Sequence, residues 1–103
     1  MLLVIDVGNT NTVLGLFDEG QLIHDWRIRT EIDHTIDEYG VLIYNLYQSI
    51  RMKAKEIKAV TAIIISCVVP PMLNILEPLC VKYFSIKPLI VGPGIKTGMP
   101  IFY

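Results

Sequence analysis

A short segment near the start of the chain combines one carboxylate with a turn of small polar residues. Residues 4–12 read VIDVGNTNT. Asp6 ends an apolar strand and can hold a hydrated Mg²⁺, while Gly8 has no Cβ to keep a phosphate away from the backbone. The residues after it offer amide, hydroxyl and main-chain N–H donors: Asn9, Thr10, Asn11 and Thr12. The segment therefore suits a triphosphate, although it is not a Walker loop, because it lacks Gly-Lys-Ser/Thr and no helix follows at once.

The same segment has a simpler interpretation as an ordinary β-hairpin. In that case the Gly, Asn and Thr residues are turn formers, and Asp6 caps a backbone N–H. The context favours the phosphate role. A strand with alternating side chains follows at residues 13–17, residues 18–20 (DEG) make a second turn, and a third strand at residues 21–30 completes a meander.

Four other side chains with possible chemistry have simpler explanations. His24 lies on the third predicted strand, where a partly buried, hydrogen-bonded histidine is more common than a catalyst. Lys96 could approach a phosphate or a carboxylate, but an exposed loop lysine is the simpler interpretation. Cys67 falls at a strand end without a nearby histidine in the sequence to act as base, so we expect Cys67 and Cys80 to be small buried hydrophobes.

Composition excludes several classes of function. The chain has 103 residues, with 9 basic against 10 acidic side chains, so it lacks the basic surface that binds nucleic acid backbones. The N-terminus carries no charged leader, and the longest apolar stretch, residues 60–69, falls short of the roughly 18 residues that a membrane span needs. Two cysteines are too few for a disulfide framework. We therefore expect a cytoplasmic protein with no nucleic acid or membrane partner.

The chain is also more hydrophobic than a typical soluble domain. Apolar residues make up 52% of it, against about 45–50% by a similar count in ordinary domains, and the mean hydropathy is +0.51. We expect a further domain or a subunit partner to cover part of its surface.

The first predicted helix begins at a capping box. Residues 35–38 (TIDE) place a Thr hydroxyl and a Glu carboxylate where they satisfy free N–H groups at a helix start. His34, just before the box, is predicted to be solvated. Gly40 inside the helix costs up to about 1 kcal/mol, which packing must offset. The apolar positions recur at helical spacing and form one stripe: Ile36, Tyr39, Leu42, Ile43, Leu46 and Ile50.

The sequence pattern in the second half of the chain predicts parallel strands connected through helices. Residues 60–65 are mostly β-branched, which is typical of a strand covered on both faces. Pro70 and Pro71 suit the first turn of a second helix, whereas Pro78 should kink or split that helix. A last strand follows at residues 88–91. The order β-β-β-α-β-α-β predicts an α/β domain with a mixed sheet, in which a meander is followed by two right-handed crossovers.

This order resembles the ribonuclease-H-like half-domain of the actin, sugar-kinase and heat-shock ATPase superfamily. Three segments sharpen the resemblance: residues 6–13 (DVGNTNTV), 68–71 (VVPP) and 91–103 (VGPGIKTGMPIFY). Together they make the whole chain resemble the N-terminal part of a type III pantothenate kinase.

The resemblance implies ATP-dependent phosphorylation of pantothenate to 4′-phosphopantothenate, the first step of coenzyme A biosynthesis. It implies a cytoplasmic homodimer that uses Mg²⁺ and a monovalent cation, K⁺ or NH4⁺. Asp6 would also be the metal-binding residue, and Tyr103 matches a tyrosine that lines the pantothenate pocket. The implied nucleotide-binding residues are Asp6, Val7, Gly8, Asn9, Thr10, Asn11, Thr12 and Val13.

The sequence departs from the family pattern at its C-terminus. In the family a Gly-Ala-Asp-Arg motif follows shortly after the position of Tyr103, its Asp acts as general base, and a second domain closes the cleft. Neither is present here. We therefore expect residues 1–103 to form a truncated N-terminal ATPase-type domain that contains no catalytic base. Phosphoryl transfer needs both substrates positioned, so these residues alone should bind nucleotide weakly at best and show no turnover.

Two other functions fit a fold of this class. A ribonuclease-H-like nuclease would also place an Asp on its first strand, but it would hold two metal ions with several carboxylates, and Asp6 has no obvious companion. A non-catalytic regulatory or interaction module would keep the fold without the chemistry.

Overall fold

The computed structural model describes residues 1–49 and 60–92. The strands and helices in these ranges follow the predicted order β-β-β-α-β-α-β. They are β1 (Leu2–Val7), β2 (Asn11–Asp18), β3 (Gln21–Arg29), α1 (Ile36–Ser49), β4 (Ala62–Cys67), α2 (Leu73–Leu79) and β5 (Leu89–Val91). A 3-10 turn, Pro70–Met72, leads into α2, and a π-helical turn, Cys80–Phe84, follows it.

The five strands form one mixed sheet in the order β3-β2-β1-β4-β5. Strands β1, β2 and β3 are antiparallel neighbours, which confirms the predicted meander. Strand β4 is parallel to β1, and β5 is parallel to β4. Because β1 and β4 run in the same direction, their carboxyl ends meet at one edge, where Asp6 pairs with Ser66 and Val7 with Cys67.

The hydrophobic core lies between one face of this sheet and the helices. Alternate residues of β1 point into it, and Leu3, Ile5 and Val7 are fully buried. Burying such a side chain stabilises the fold by roughly 1.5–3 kcal/mol. Strand β4 does not match the prediction of two covered faces: Ile63 and Ile65 are buried, Ile64 is partly exposed and Ala62 is exposed.

Helix α1 begins at the predicted capping box. The Glu38 N–H donates to Thr35 Oγ1 at 3.1 Å, and the Thr35 N–H donates to Glu38 Oε1 at 2.9 Å. The side chain of Tyr39 is fully buried. The prediction that His34 is solvated is wrong, because its ring packs edge-on against Tyr39 with centroids 5.1 Å apart and its Nδ1 atom is buried.

The second helix is disturbed at the predicted place. Pro70 and Pro71 occupy the first positions of the 3-10 turn that precedes α2. Helix α2 continues through Pro78, and the backbone then widens into the π-helical turn. The π-helical turn ends at Ser85, whose φ of 57° lies in the left-handed region. The disturbance caused by the proline therefore takes the form of a change in helix type.

Strand β3 contains an irregularity that the alternation of its sequence does not reveal. Leu16 pairs with His24 whereas Phe17 pairs with Leu22, so Ile23 is an extra residue on β3. His24 is exposed, and its ring stacks on that of Trp26 with centroids 6.0 Å apart. The predicted partial burial of His24 is wrong. A bilayer-spanning helix would need more length and hydrophobicity than any helix in residues 1–49 and 60–92 has.

Candidate functional site

The turn between β1 and β2 surrounds a recess at the carboxyl edge of the parallel strands. The Gly8 N–H donates to the carbonyl oxygen of Asn11 at 2.9 Å and narrows the turn. The Val68 N–H donates to the carbonyl oxygen of Val7 at 3.1 Å, which ties the end of β4 to the end of β1. The recess has a volume of about 450 Å³ and is lined by Gly8, Asn9, Thr10, Asn11 and Val68. Four residues predicted to bind phosphate thus line a single open space.

Asp6 lies one residue before the last of β1 and is only 7% exposed. It pairs with Val13 on β2 and with Ser66 on β4. The described ranges contain no group of three or more His, Cys, Asp or Glu side chains that could hold a metal ion. Mg²⁺ commonly takes one or two protein carboxylates and completes its shell with water and substrate phosphates. A single carboxylate at Asp6, two residues before the recess lining begins at Gly8, fits that arrangement.

Besides Asp6, three of the predicted nucleotide-binding residues are buried. Val7 is fully buried, and Thr12 and Val13 are each 1% exposed. Only the backbones of Val7 and Val13 have polar groups to offer a ligand. The Thr12 hydroxyl lies 2.9 Å from the Thr30 hydroxyl, so it is already engaged within the protein. Contact between these three residues and a nucleotide stays a prediction.

Thr30 bonds to this turn although it lies outside the predicted phosphate-binding segment. Its hydroxyl donates to the carbonyl oxygen of Gly8 at 2.8 Å, and its N–H donates to the carbonyl oxygen of Thr10 at 2.8 Å. A hydroxyl has a single proton, so Thr12 is the donor in the bond between the two hydroxyls. The predicted meander could have indicated that Thr30 lies near the turn. Extending the pairing of β2 with β3 by one residue places Thr30 opposite Thr10.

A buried tyrosine fixes the backbone on both sides of Thr30. The Tyr39 hydroxyl accepts a hydrogen bond from the Glu31 N–H at 2.6 Å and donates to the carbonyl oxygen of Arg29 at 3.3 Å. Burial raises the pKa of Tyr39, only partly opposed by the bond from Glu31. The hydroxyl therefore keeps its proton near neutral pH and serves as donor and acceptor at once.

Cys67 ends β4 beside Asp6, but its surroundings do not activate it. Its thiol donates to the carbonyl oxygen of Val69 at 3.0 Å. Burial raises the pKa of Cys67, and the negative charge of Asp6 raises it further. Burial raises the pKa of Cys80 to about 12. Both thiols are thus protonated at neutral pH, which argues against a nucleophile because the thiolate is the reactive form.

Two candidate residues lie outside the described ranges. Lys96 and Tyr103 both follow residue 92, so their predicted roles stay predictions.

Comparison with known proteins agrees with the resemblance seen in the sequence. The chain is 73% identical to the type III pantothenate kinase of Syntrophus aciditrophicus (strain SB) and 60% identical to that of Syntrophobacter fumaroxidans (strain DSM 10017 / MPOB). It is 54% identical to that of Geobacter sulfurreducens (strain ATCC 51573 / DSM 12127 / PCA). Each match covers all 103 residues of this chain but only 39% of the relative. A sequence model described as type III pantothenate kinase matches residues 2–103, and the chain therefore belongs to the type III pantothenate kinase family.

Proposed function

We propose that residues 1–103 form the nucleotide-binding N-terminal domain of a kinase that transfers the γ-phosphate of ATP to pantothenate, giving 4′-phosphopantothenate for coenzyme A biosynthesis. The family membership and the names of the relatives support the reaction. The strand order β3-β2-β1-β4-β5 supports a ribonuclease-H-like half-domain of the actin superfamily type.

In this proposal the recess beside Asp6 binds the phosphates. The side chains of Asn9, Thr10 and Asn11 offer donors around it, while Gly8, whose N–H already donates to Asn11, has no Cβ to keep a phosphate away. Asp6 would hold a hydrated Mg²⁺, and the ion would supply positive charge that neutralises the phosphates. The turn is supported at its two ends by three buried residues, Val7, Thr12 and Val13.

The acceptor side of the reaction involves parts of the protein beyond the described residues. We propose that Tyr103 lines the pantothenate pocket, and that the general base and a second domain are supplied by the part of the kinase that the relatives have in addition. The same proposal includes a cytoplasmic homodimer and a monovalent cation, K⁺ or NH4⁺. Within residues 1–49 and 60–92, four large apolar residues are more than half exposed, which supports a further covering domain or subunit: Ile32, Val41, Val81 and Leu89.

The observation that carries the proposal is the recess lined by the β1–β2 turn, which begins two residues after the buried Asp6. The direct test is a crystal structure of the complete kinase with a slowly hydrolysed ATP analogue and Mg²⁺. The analogue should occupy this recess with its metal near Asp6. An empty recess with the analogue bound elsewhere would refute the assignment.

An activity test separates the proposal from its two rivals. ADP release by the complete kinase should require pantothenate as well as Mg²⁺ and ATP. A nuclease would instead cleave a labelled RNA–DNA hybrid, and a non-catalytic module would give no MgATP-dependent change in melting temperature. The isolated 103 residues should show no turnover, because phosphoryl transfer depends on holding the acceptor in line with the phosphate.

A further inference from the structure

We infer that Thr30 is a positioning residue for nucleotide binding, which holds the β1–β2 turn in the shape that phosphates require. The inference rests on the function proposed above. Thr30 follows β3 and is separated from Gly8 by 22 positions, yet its hydroxyl and its N–H both bond to the turn. It belongs to neither of the two strands that the turn connects.

The direction of the two bonds determines which groups the turn can present. Thr30 engages the carbonyl oxygens of Gly8 and Thr10. In a trans peptide unit the C=O and the N–H point in opposite directions, and no peptide bond in the described residues is cis. The N–H groups in the same two peptide units, those of Asn9 and Asn11, therefore point away from Thr30.

This orientation suits an anion. A phosphate is attracted by N–H groups and repelled by carbonyl oxygens, so a phosphate-binding turn must direct its carbonyl oxygens elsewhere. Asn9 and Asn11 both line the recess. Thr30 thus engages two carbonyl oxygens of the turn that would oppose a phosphate if they faced the recess.

The support behind Thr30 is rigid. Tyr39 is fully buried in the core, and its hydroxyl bonds to the residues on either side of Thr30, Arg29 and Glu31. A binding group is held accurately when the residues behind it are fixed by packing and hydrogen bonds. Helix α1 is connected in this way to the phosphate-binding turn.

The test compares two substitutions in the complete kinase. Thr30→Val keeps the shape and the backbone N–H but removes the hydroxyl, whereas Thr30→Ser keeps the hydroxyl. Thr30→Val should raise the Kd for MgATP, measured by calorimetry, about tenfold. The KM for ATP should rise by the same factor while the KM for pantothenate stays unchanged. Thr30→Ser should stay within about twofold of the unmodified kinase.

Thr61→Val is the matched control, because Thr61 is exposed and lies just before β4, at the opposite end of that strand from Ser66. It should leave the Kd for MgATP unchanged. If Thr30→Val fails to fold, Tyr39→Phe decides the question, since it releases the backbone around Thr30 and should raise the same Kd and leave the KM for pantothenate unchanged.

Two negative outcomes have different meanings. If the unmodified kinase binds MgATP and Thr30→Val binds it equally well, the positioning role is overturned while the proposed function stands. The role is also overturned if Thr30→Ser loses as much affinity as Thr30→Val, or if Tyr39→Phe in the fallback case binds normally. If the unmodified kinase does not bind MgATP, the proposed function is overturned and this inference with it.

Discussion

The ring of Tyr83 lies against Gly40 of α1, in the space that a Cβ atom at position 40 would occupy. The Tyr83 hydroxyl donates to Asp37 Oδ1 at 2.6 Å, and Lys82 Nζ donates to the same oxygen at 2.7 Å. The glycine that weakens the helix in isolation thus allows the π-helical turn to pack on α1. This contact is the packing that the sequence required as compensation for Gly40.

The contact predicts an unusual effect of a helix-favouring substitution. Gly40→Ala should destabilise the domain by about 1–2 kcal/mol, because the overlap with the Tyr83 ring outweighs the gain in helix propensity. Thermal and denaturant unfolding of the complete kinase would measure it. In a Tyr83→Ala background the same substitution should stabilise by up to about 1 kcal/mol. Stabilisation by Gly40→Ala alone would show that the ring does not restrict this position.

The group formed by Asp37, Lys82 and Tyr83 predicts a dependence of stability on pH. Hydrogen bonds from Lys82 and then Tyr83 hold the pKa of Asp37 below its ordinary value of 3.8. A lowered folded-state pKa stabilises the protein above the unfolded-state pKa, and this stabilisation is lost as the pH falls through the folded-state pKa. The difference in melting temperature between the unmodified kinase and Asp37→Asn should therefore be constant from pH 7 to about 5 and disappear in stronger acid.

Asp33→Asn serves as the control for that experiment, since it removes an exposed carboxylate close to the same helix start. The difference due to Asp37 should also shrink in high salt, because Asp37 and Lys82 are both exposed. A difference that grows as the pH falls would contradict the assignment.

Asp6→Asn should affect metal-dependent catalysis more than folding. In the complete kinase we expect kcat at saturating ATP to fall roughly 10²-fold, as when one preorganised electrostatic group is removed from an active site. The Mg²⁺ concentration for half-maximal rate should rise, and the melting temperature should change little. Asp18→Asn, at the exposed end of β2, is the matched control. Parallel losses of stability and activity would favour the capping role of Asp6.

The two cysteines should react slowly in the folded protein. Burial raises the pKa of Cys80 to about 12, so iodoacetamide at pH 8 should modify it only after unfolding. Cys67 should react more slowly than a free thiol, and Asp6→Asn should speed its reaction by removing a charge that raises its pKa. Peptide mass spectrometry would follow both sites. Rapid modification of native Cys80 would contradict its burial.

The order of the elements could be predicted because each one carries a local pattern. The capping box marks the start of α1, and alternation marks the first strands. The predicted boundaries of β4 were less accurate, because pairing with β1 determines where β4 begins. Since β1 begins at Leu2, its partner on β4 begins at Ala62, and Val60 and Thr61 fall outside the strand although Val60 is buried.

The candidate site also contains some residues that local sequence could indicate and others that it could not. The residues from Asp6 to Asn11 form one local motif, so a phosphate-binding role could be proposed from their types and spacing alone. Thr30 and Tyr39 come from a strand end and a helix, and their roles depend on how β3 aligns with β2. A pattern within one segment contains no information about that alignment. The extra residue at Ile23 shows how easily such an alignment changes.

The attachment of the β1–β2 turn to Thr30 also has a thermodynamic consequence. Ordering a floppy loop around a ligand consumes part of the binding free energy. Here the hydrogen bonds to Gly8 and Thr10 accompany the docking of β3 beside β2. Under the proposed function the entropy loss is incurred during folding, so a triphosphate would meet a preorganised turn and keep more of its intrinsic affinity.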